Sequence, residues 1–178
     1  MAHKMNTFTD FIACADHLVA AKYCDGSRIV ARGGSAGGLL MGAVTNLCPD
    51  RWRGIVAEVP FVDVVTTMSD ATIPLTVNEW DEWGNPSIEA EYFSMLAYSP
   101  YDNLDSSVNY PSLLVTGGLN DPRVQYWEPA KYVAKLRHIS PQTDVLLKMD
   151  MGAGHRGPSG RYEAWRDEAF TLAWMLTA

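Results

Sequence analysis

The spacing of apolar positions changes several times along the chain, and each change marks an element. Phe11, Ile12, Cys14, Ala15, Leu18 and Val19 recur at helical intervals, so a helix is expected from a cap at Thr9-Asp10 to about Tyr23, with Asp25-Gly26-Ser27 closing it. Residues 28–33, opened by Arg28 and closed by Gly33, contain the unbroken run Ile29-Val30-Ala31 and read as a short buried strand. Residues 35–47 return to a helical pattern that Pro49-Asp50 stops, and residues 54–60 are a second apolar run with a proline at its end. Residues 112–118 and 144–149 supply two more strands. Helices are expected at about 127–138, packing Ala130, Tyr132, Val133, Ala134 and Leu136 inward, and at about 161–175, with Trp165, Ala169, Phe170, Leu172 and Ala173 as the apolar face. Between residues 61 and 101 the period blurs into an excursion with short helices, rich in tryptophan and acidic residues, and such insertions are more often functional than not. Strands alternating with helices imply right-handed crossovers and a parallel, doubly wound sheet, an α/β fold.

Composition narrows the reading. At 178 residues the chain has the size of one domain, and 47% apolar with 20% charged residues is a globular balance. A net charge of −7 without any basic run excludes a nucleic-acid partner and weakly favours cationic substrates. No stretch approaches the length of a membrane span or of a signal peptide's apolar region, so no membrane partner is expected. Cys14, Cys24 and Cys48 are odd in number and lack metal-binding spacing; reduced, partly buried thiols, a cytoplasmic location, and no metal or cofactor follow as expectations.

The chemistry centres on Gly33-Gly34-Ser35-Ala36-Gly37-Gly38, between a strand and a helix. A Gly-x-Ser-x-Gly turn in that setting is a nucleophile elbow: the serine backbone is strained, glycines at 33 and 37 remove collisions, and the helix N-terminus favours a developing oxyanion. An ordinary glycine turn is the plain alternative, and a phosphate loop is disfavoured because Leu39 stands where lysine would be wanted. Functional groups of such sheets gather in the loops beyond the strands' carboxyl ends. Ser35, Asp121 and His155 each fall in such a loop, in the chain order serine, acid, histidine. A serine hydroxyl needs a base to take its proton; His155 is the candidate base and Asp121 the group that orients it, with Asp63 and Asp144 as rival acids. His3, His17 and His138 read as ordinary surface or core histidines.

Several separate blocks, from about residue 6 to the last, resemble the oligopeptidase B branch of the prolyl oligopeptidase family of serine peptidases. They are the elbow itself, Ala57-Glu58-Val59-Pro60-Phe61-Val62-Asp63, the Asn78 to Pro86 block with Glu79-Trp80-Asp81, Tyr98-Ser99-Pro100-Tyr101, Gly118-Leu119-Asn120-Asp121-Pro122-Arg123, and Met151-Gly152-Ala153-Gly154-His155. The resemblance implies Ser35, Asp121 and His155 as a catalytic triad and the Ala36 N–H as an oxyanion donor. It further implies cleavage after Arg or Lys, with Glu79 and Asp81 facing the substrate cation and Arg123 contacting an upstream substrate carbonyl. Solvated acids and a structural salt bridge are the plain readings of Glu79, Asp81 and Arg123.

Set against that family, the chain is expected to be a partial α/β-hydrolase fold of about four parallel strands, without the first strands, the β-propeller, or the loop that carries a tyrosine oxyanion donor. The strand at 28–33 would then have an unpaired edge, and a homo-oligomer through that edge is expected. A missing donor is worth roughly 3–4 kcal/mol of barrier, so small esters join short basic peptides as expected substrates. The competing readings are an inactive remnant serving as an assembly or binding module, and an α/β domain that uses the elbow only as a turn.

Overall fold

The computed structural model describes residues 3–178. Four strands, β1 (Val30–Gly34), β2 (Gly54–Glu58), β3 (Ser112–Gly118) and β4 (Val145–Asp150), form one parallel sheet in the order β1-β2-β3-β4. Its register pairs Gly34 with Glu58, Glu58 with Thr116, and Gly118 with Asp150, so the carboxyl ends open on one side. The helices are α1 (Met5–Ala20), α2 (Ala36–Leu47), α3 (Val64–Ser69), α4 (Thr76–Trp83), α5 (Glu89–Leu96), α6 (Trp127–Ile139) and α7 (Arg161–Thr177).

Sheet order follows chain order, so crossovers of one hand drop their helices on one face. There Ala31, Ile55, Ala57, Leu113 and Val115 meet Leu39, Met41 and Val44 of α2 and Tyr132, Val133 and Leu136 of α6 in the main core. The excursion forms α3 to α5 and adds Met68, Trp83 and Met95 to that core. Val56 and Leu114, buried on alternate positions, point to the second face. That face carries α7, whose Trp174, with Ala178 just beyond the helix, abuts Gly54.

Three expectations change. The apolar face expected on α7 is turned outward: Trp165 is 61% exposed, and Phe170 and Leu172 are also exposed. The inward stripe is Asp167, Glu168, Thr171 and Trp174, because the sheet presents Arg32 and Lys148 to it, and these pair with Glu168 and Asp167. Helix α1 starts a turn before the expected cap, and Thr9 bonds back to the carbonyl of Met5. Cys14 and Cys24 are exposed and only Cys48 is half-buried, since α1 buries Phe8 and Ala15 on its other side.

Among the described residues no helix is long and apolar enough to cross a membrane, no acid, histidine or cysteine cluster could hold a metal, and no strand pairs with the outer side of β1 or β4.

Candidate active site

Ser35 joins β1 to α2 with φ 57° and ψ −118°, a sparsely populated conformation that costs about 1–3 kcal/mol. Its surroundings hold it there. The Ser35 N–H donates to the Glu58 carbonyl at 2.8 Å, and its own carbonyl accepts from Gly38, Leu39 and Phe61 at 2.9, 3.1 and 3.1 Å. A Cβ on Gly33 would lie 2.4 Å from the Gly37 carbonyl oxygen, and one on Gly38 would lie 2.5 Å from Pro60 Cα. A Cβ on Gly37 would meet nothing within 4 Å, so the crowding expected at 33 and 37 is found at 33 and 38. Ala36 is exposed as the first residue of α2, where an N–H has no helical carbonyl to bond.

The loops beyond β3 and β4 converge on this turn. Leu119 N–H donates to the Asp150 carbonyl and Asn120 N–H to that of Ala153, and a Cβ on Gly118 would lie 2.7 Å from the Ala153 oxygen. His155 Nε2 lies 3.0 Å from Ser35 Oγ, and its Nδ1 lies 2.7 Å from Asp121 Oδ2. Asp121 is buried, and its other oxygen accepts the N–H groups of Arg123 and Val124 at 2.8 and 3.0 Å. Of the rival acids, Asp63 is buried against Lys131 and Asp144 is exposed at the start of β4. A hydroxyl, an imidazole and a fixed carboxylate in series can move a proton off the hydroxyl and stabilise the resulting imidazolium.

Ser35 stands between two concavities. The larger, about 390 Å³, runs under α7 past His155, Glu58, Lys148 and Asp167. Its carboxylates beneath α7 are already paired: Arg32 grips Glu58 at 3.0 and 2.8 Å and Glu168 at 2.6 Å twice, and Lys148 holds Asp167, while Arg156 at its rim has no ion pair among the described residues. Those two carboxylates, Glu168 foremost, hold the Arg32 guanidinium above its usual range. The smaller cavity, about 110 Å³, opens beside Ala36 and is lined by Phe61, Thr67, Glu79, Glu82, Trp83 and Arg123. One of its carboxylates is available: Glu79 Oε2 accepts the Trp83 indole N–H at 2.8 Å, which fixes its direction, and among the described residues Oε1 has no partner, whereas Glu82 Oε1 is paired with Lys4 Nζ at 3.5 Å. Size favours the first concavity and chemistry the second.

Positions 79, 82 and 83 share one face of α4, and Asp81 points away, exposed and outside the cavity. Of the residues expected to bind substrate, Glu79 and Arg123 therefore reach the cavity beside Ser35 and Asp81 does not. Glu82, which belongs with Glu79 and Asp81 to one acidic cluster of the sequence, lines it as well, and Phe61 lines it without having been singled out, although it lies inside a block that carried the resemblance. Glu128, buried in the first turn of α6, left no signal.

The prolyl oligopeptidase family model matches residues 1–178. The chain is 52% identical over 177 residues to protease 2 of Moraxella lacunata and 54% identical over 175 residues to dipeptidyl aminopeptidase BI of Pseudoxanthomonas mexicana, covering 99% and 98% of itself but 26% and 24% of those proteins. Oligopeptidase B from Leishmania major superposes with a TM-score of 0.94 at 50% identity, covering 98% of this chain and 24% of that one, and oligopeptidase B from Trypanosoma brucei with covalently bound antipain does so at 49% identity with the same score. The chain thus spans about a quarter of the length of these relatives, and its four strands with their flanking helices match the hydrolase part of the Leishmania structure. With the family model matched from end to end and identities above one half, this chain belongs to the prolyl oligopeptidase family.

Proposed function

We propose that this chain is a serine hydrolase that cleaves peptide or ester bonds on the carbonyl side of Arg or Lys through an acyl-enzyme. Ser35 Oγ attacks the carbonyl and its proton passes to His155 Nε2; Asp121 keeps Nδ1 protonated and stabilises the imidazolium; His155 then protonates the leaving group. The Ala36 N–H, at the positive end of α2, donates to the oxyanion. A water activated by His155 releases the acid. Glu79, with Glu82 beside it, takes the substrate cation in the smaller cavity, where a carboxylate with a free oxygen suits a guanidinium, and Arg123 contacts the substrate carbonyl upstream.

One observation carries the reading: a strained serine whose hydroxyl lies 3.0 Å from an imidazole held 2.7 Å from a buried carboxylate. The covalently bound antipain of the Trypanosoma brucei relative supports a reaction through a covalent intermediate. Because Ala36 is the one oxyanion donor assigned here, small activated esters are expected to turn over faster than peptide amides. Self-association through the outer edge of β1 belongs to the same reading, since an unpaired strand edge recruits another strand.

The test is fluorophosphonate labelling together with turnover of a p-nitrophenyl ester and an arginyl amide, on wild type and Ser35→Ala. Labelling at Ser35 and turnover abolished by the substitution are expected. Absence of an adduct would sink the hydrolase reading and leave a binding module, and a wild type that prefers neutral over arginyl substrates would sink the assignment of the smaller cavity.

A further inference from the structure

Glu128 is a fully buried carboxylate that the proposed chemistry does not use. It lies in the first turn of α6, the helix that follows the Asp121 loop. Its Oε2 accepts the backbone N–H groups of Val62 and Asp63 at 2.8 and 2.9 Å, and its Oε1 accepts the Thr67 hydroxyl at 2.7 Å. These three donors lie in the segment that walls the smaller cavity. Phe61, immediately before them, donates its N–H to the Ser35 carbonyl at 3.1 Å and packs its ring 5.3 Å from that of Trp83. Thr67 lines the same cavity, and its carbonyl accepts the Thr76 hydroxyl at 2.9 Å.

Burying a carboxylate is costly, and helix-terminus attraction is available equally to a solvated acid. Burial pushes the Glu128 carboxyl from 4.5 up to about 7, with the Asp63 charge adding to the rise and the three donors opposing it. A group retained at that cost, with a donor on each oxygen, is matched to the segment it grips.

We propose that Glu128 is a positioning residue for capture of the substrate cation: by holding Val62, Asp63 and Thr67 it sets the Phe61 wall of the cavity beside Ser35 without touching substrate. The proposal rests on the reading of that cavity given above. It predicts that loosening the grip weakens retention of an arginyl side chain while leaving the serine's reactivity in place, because the Ser35–His155–Asp121 contacts involve other atoms.

Two substitutions in this chain separate a positioning role from a merely structural one. Glu128→Gln keeps an oxygen for the two backbone N–H groups and offers its NH2 to the Thr67 hydroxyl; Glu128→Leu fills similar volume and removes every acceptor. For Glu128→Leu, KM for an arginyl amide is expected to rise about tenfold, with kcat and the fluorophosphonate labelling rate within about threefold of wild type. Hydrogen exchange at the Val62 and Asp63 amides should quicken at least about tenfold while that of Leu114 in β3 is unchanged. Glu128→Gln should restore both KM and exchange to within about threefold of wild type. Unchanged exchange and KM in Glu128→Leu, labelling that falls in step with KM, or a Gln variant that fails as the Leu variant does would each overturn the proposal. Should Glu128→Leu not fold, the Gln variant decides alone: wild-type KM and amide protection support the grip, and loss of either overturns it. Wild-type kinetics judge the cavity assignment separately, since a chain with no arginyl preference refutes that assignment and this proposal with it, whereas a variant-specific failure refutes only the proposal.

Discussion

Replacing Asp121 by asparagine separates orientation from shape. Asp121 Oδ1 accepts two backbone N–H groups, at 2.8 and 3.0 Å, and Oδ2 faces His155 Nδ1 at 2.7 Å. Asparagine has a single oxygen, and the two N–H groups claim it, because turning the amide would set NH2 against both of them. The NH2 group then faces Nδ1, which must accept, and the ring proton moves to Nε2 opposite Ser35 Oγ. In that tautomer His155 cannot take the serine proton. Volume and the two backbone bonds are unchanged, so the fold should be indifferent. The expected loss in kcat is about 10⁴, or about 5 kcal/mol of barrier at about 1.4 kcal/mol per decade. Turnover of a p-nitrophenyl ester and an arginyl amide measures it, fluorophosphonate labelling should slow in parallel, and thermal unfolding checks the fold. Asp121→Ala is the contrast: it orphans the buried N–H of Val124, a cost of about 1–3 kcal/mol, and frees the part-buried N–H of Arg123, and should lower stability as well. An Asp121→Asn variant within tenfold of wild type would refute the orientation argument.

Three more outcomes are expected. Glu128 binds a proton with a pKa of about 7 when folded and 4.5 when unfolded, so the folded chain holds a proton that the unfolded chain has released; the associated stability is complete below 4.5 and is lost as pH rises to about 7. Its full span is about 3 kcal/mol, and denaturant unfolding at about pH 5 and about pH 8 should show that much less pH dependence in Glu128→Gln than in wild type. Gly38→Ala, whose Cβ would lie 2.5 Å from Pro60 Cα, should cost about 1–3 kcal/mol in unfolding free energy and most of the activity, whereas Gly37→Ala should leave stability equal or higher. Glu79→Gln should raise KM for an arginyl amide about tenfold and spare a neutral ester, with Asp81→Asn close to wild type in both assays; equal effects at the two positions would contradict the one-sided geometry of α4.

The strands were legible because a parallel sheet covered on both faces writes itself as short unbroken apolar runs, and Ile29-Val30-Ala31, Ile55-Val56-Ala57, Leu113-Leu114-Val115 and Val145-Leu146-Leu147 are such runs. The elbow and the loops bearing Asp121 and His155 were legible because they follow those runs directly. What stayed hidden depends on partners distant in sequence. The inward side of α7 is polar because Arg32 and Lys148 look at it, and no periodicity within α7 contains that information. Whether glycine is required at 37 or 38 is decided by Pro60, and Asp81 could be separated from Glu82 only once α4 was seen against Phe61 and Trp83. Nothing local marks Glu128, because the N–H groups of Val62 and Asp63 that it accepts lie more than sixty residues away in the chain.

Both edge strands carry a member of the relay, but the hydroxyl beyond β1 is seated in a turn tied to Glu58 and Phe61, whereas the imidazole rides on the loop beyond β4, where Leu146 is 41% exposed. Fraying begins at such margins and needs far less free energy than dismantling the interior. Proton relay from Ser35 is therefore a gauge of the β4 margin: mild denaturant should silence turnover while the buried indole of Trp83 still reports an intact interior.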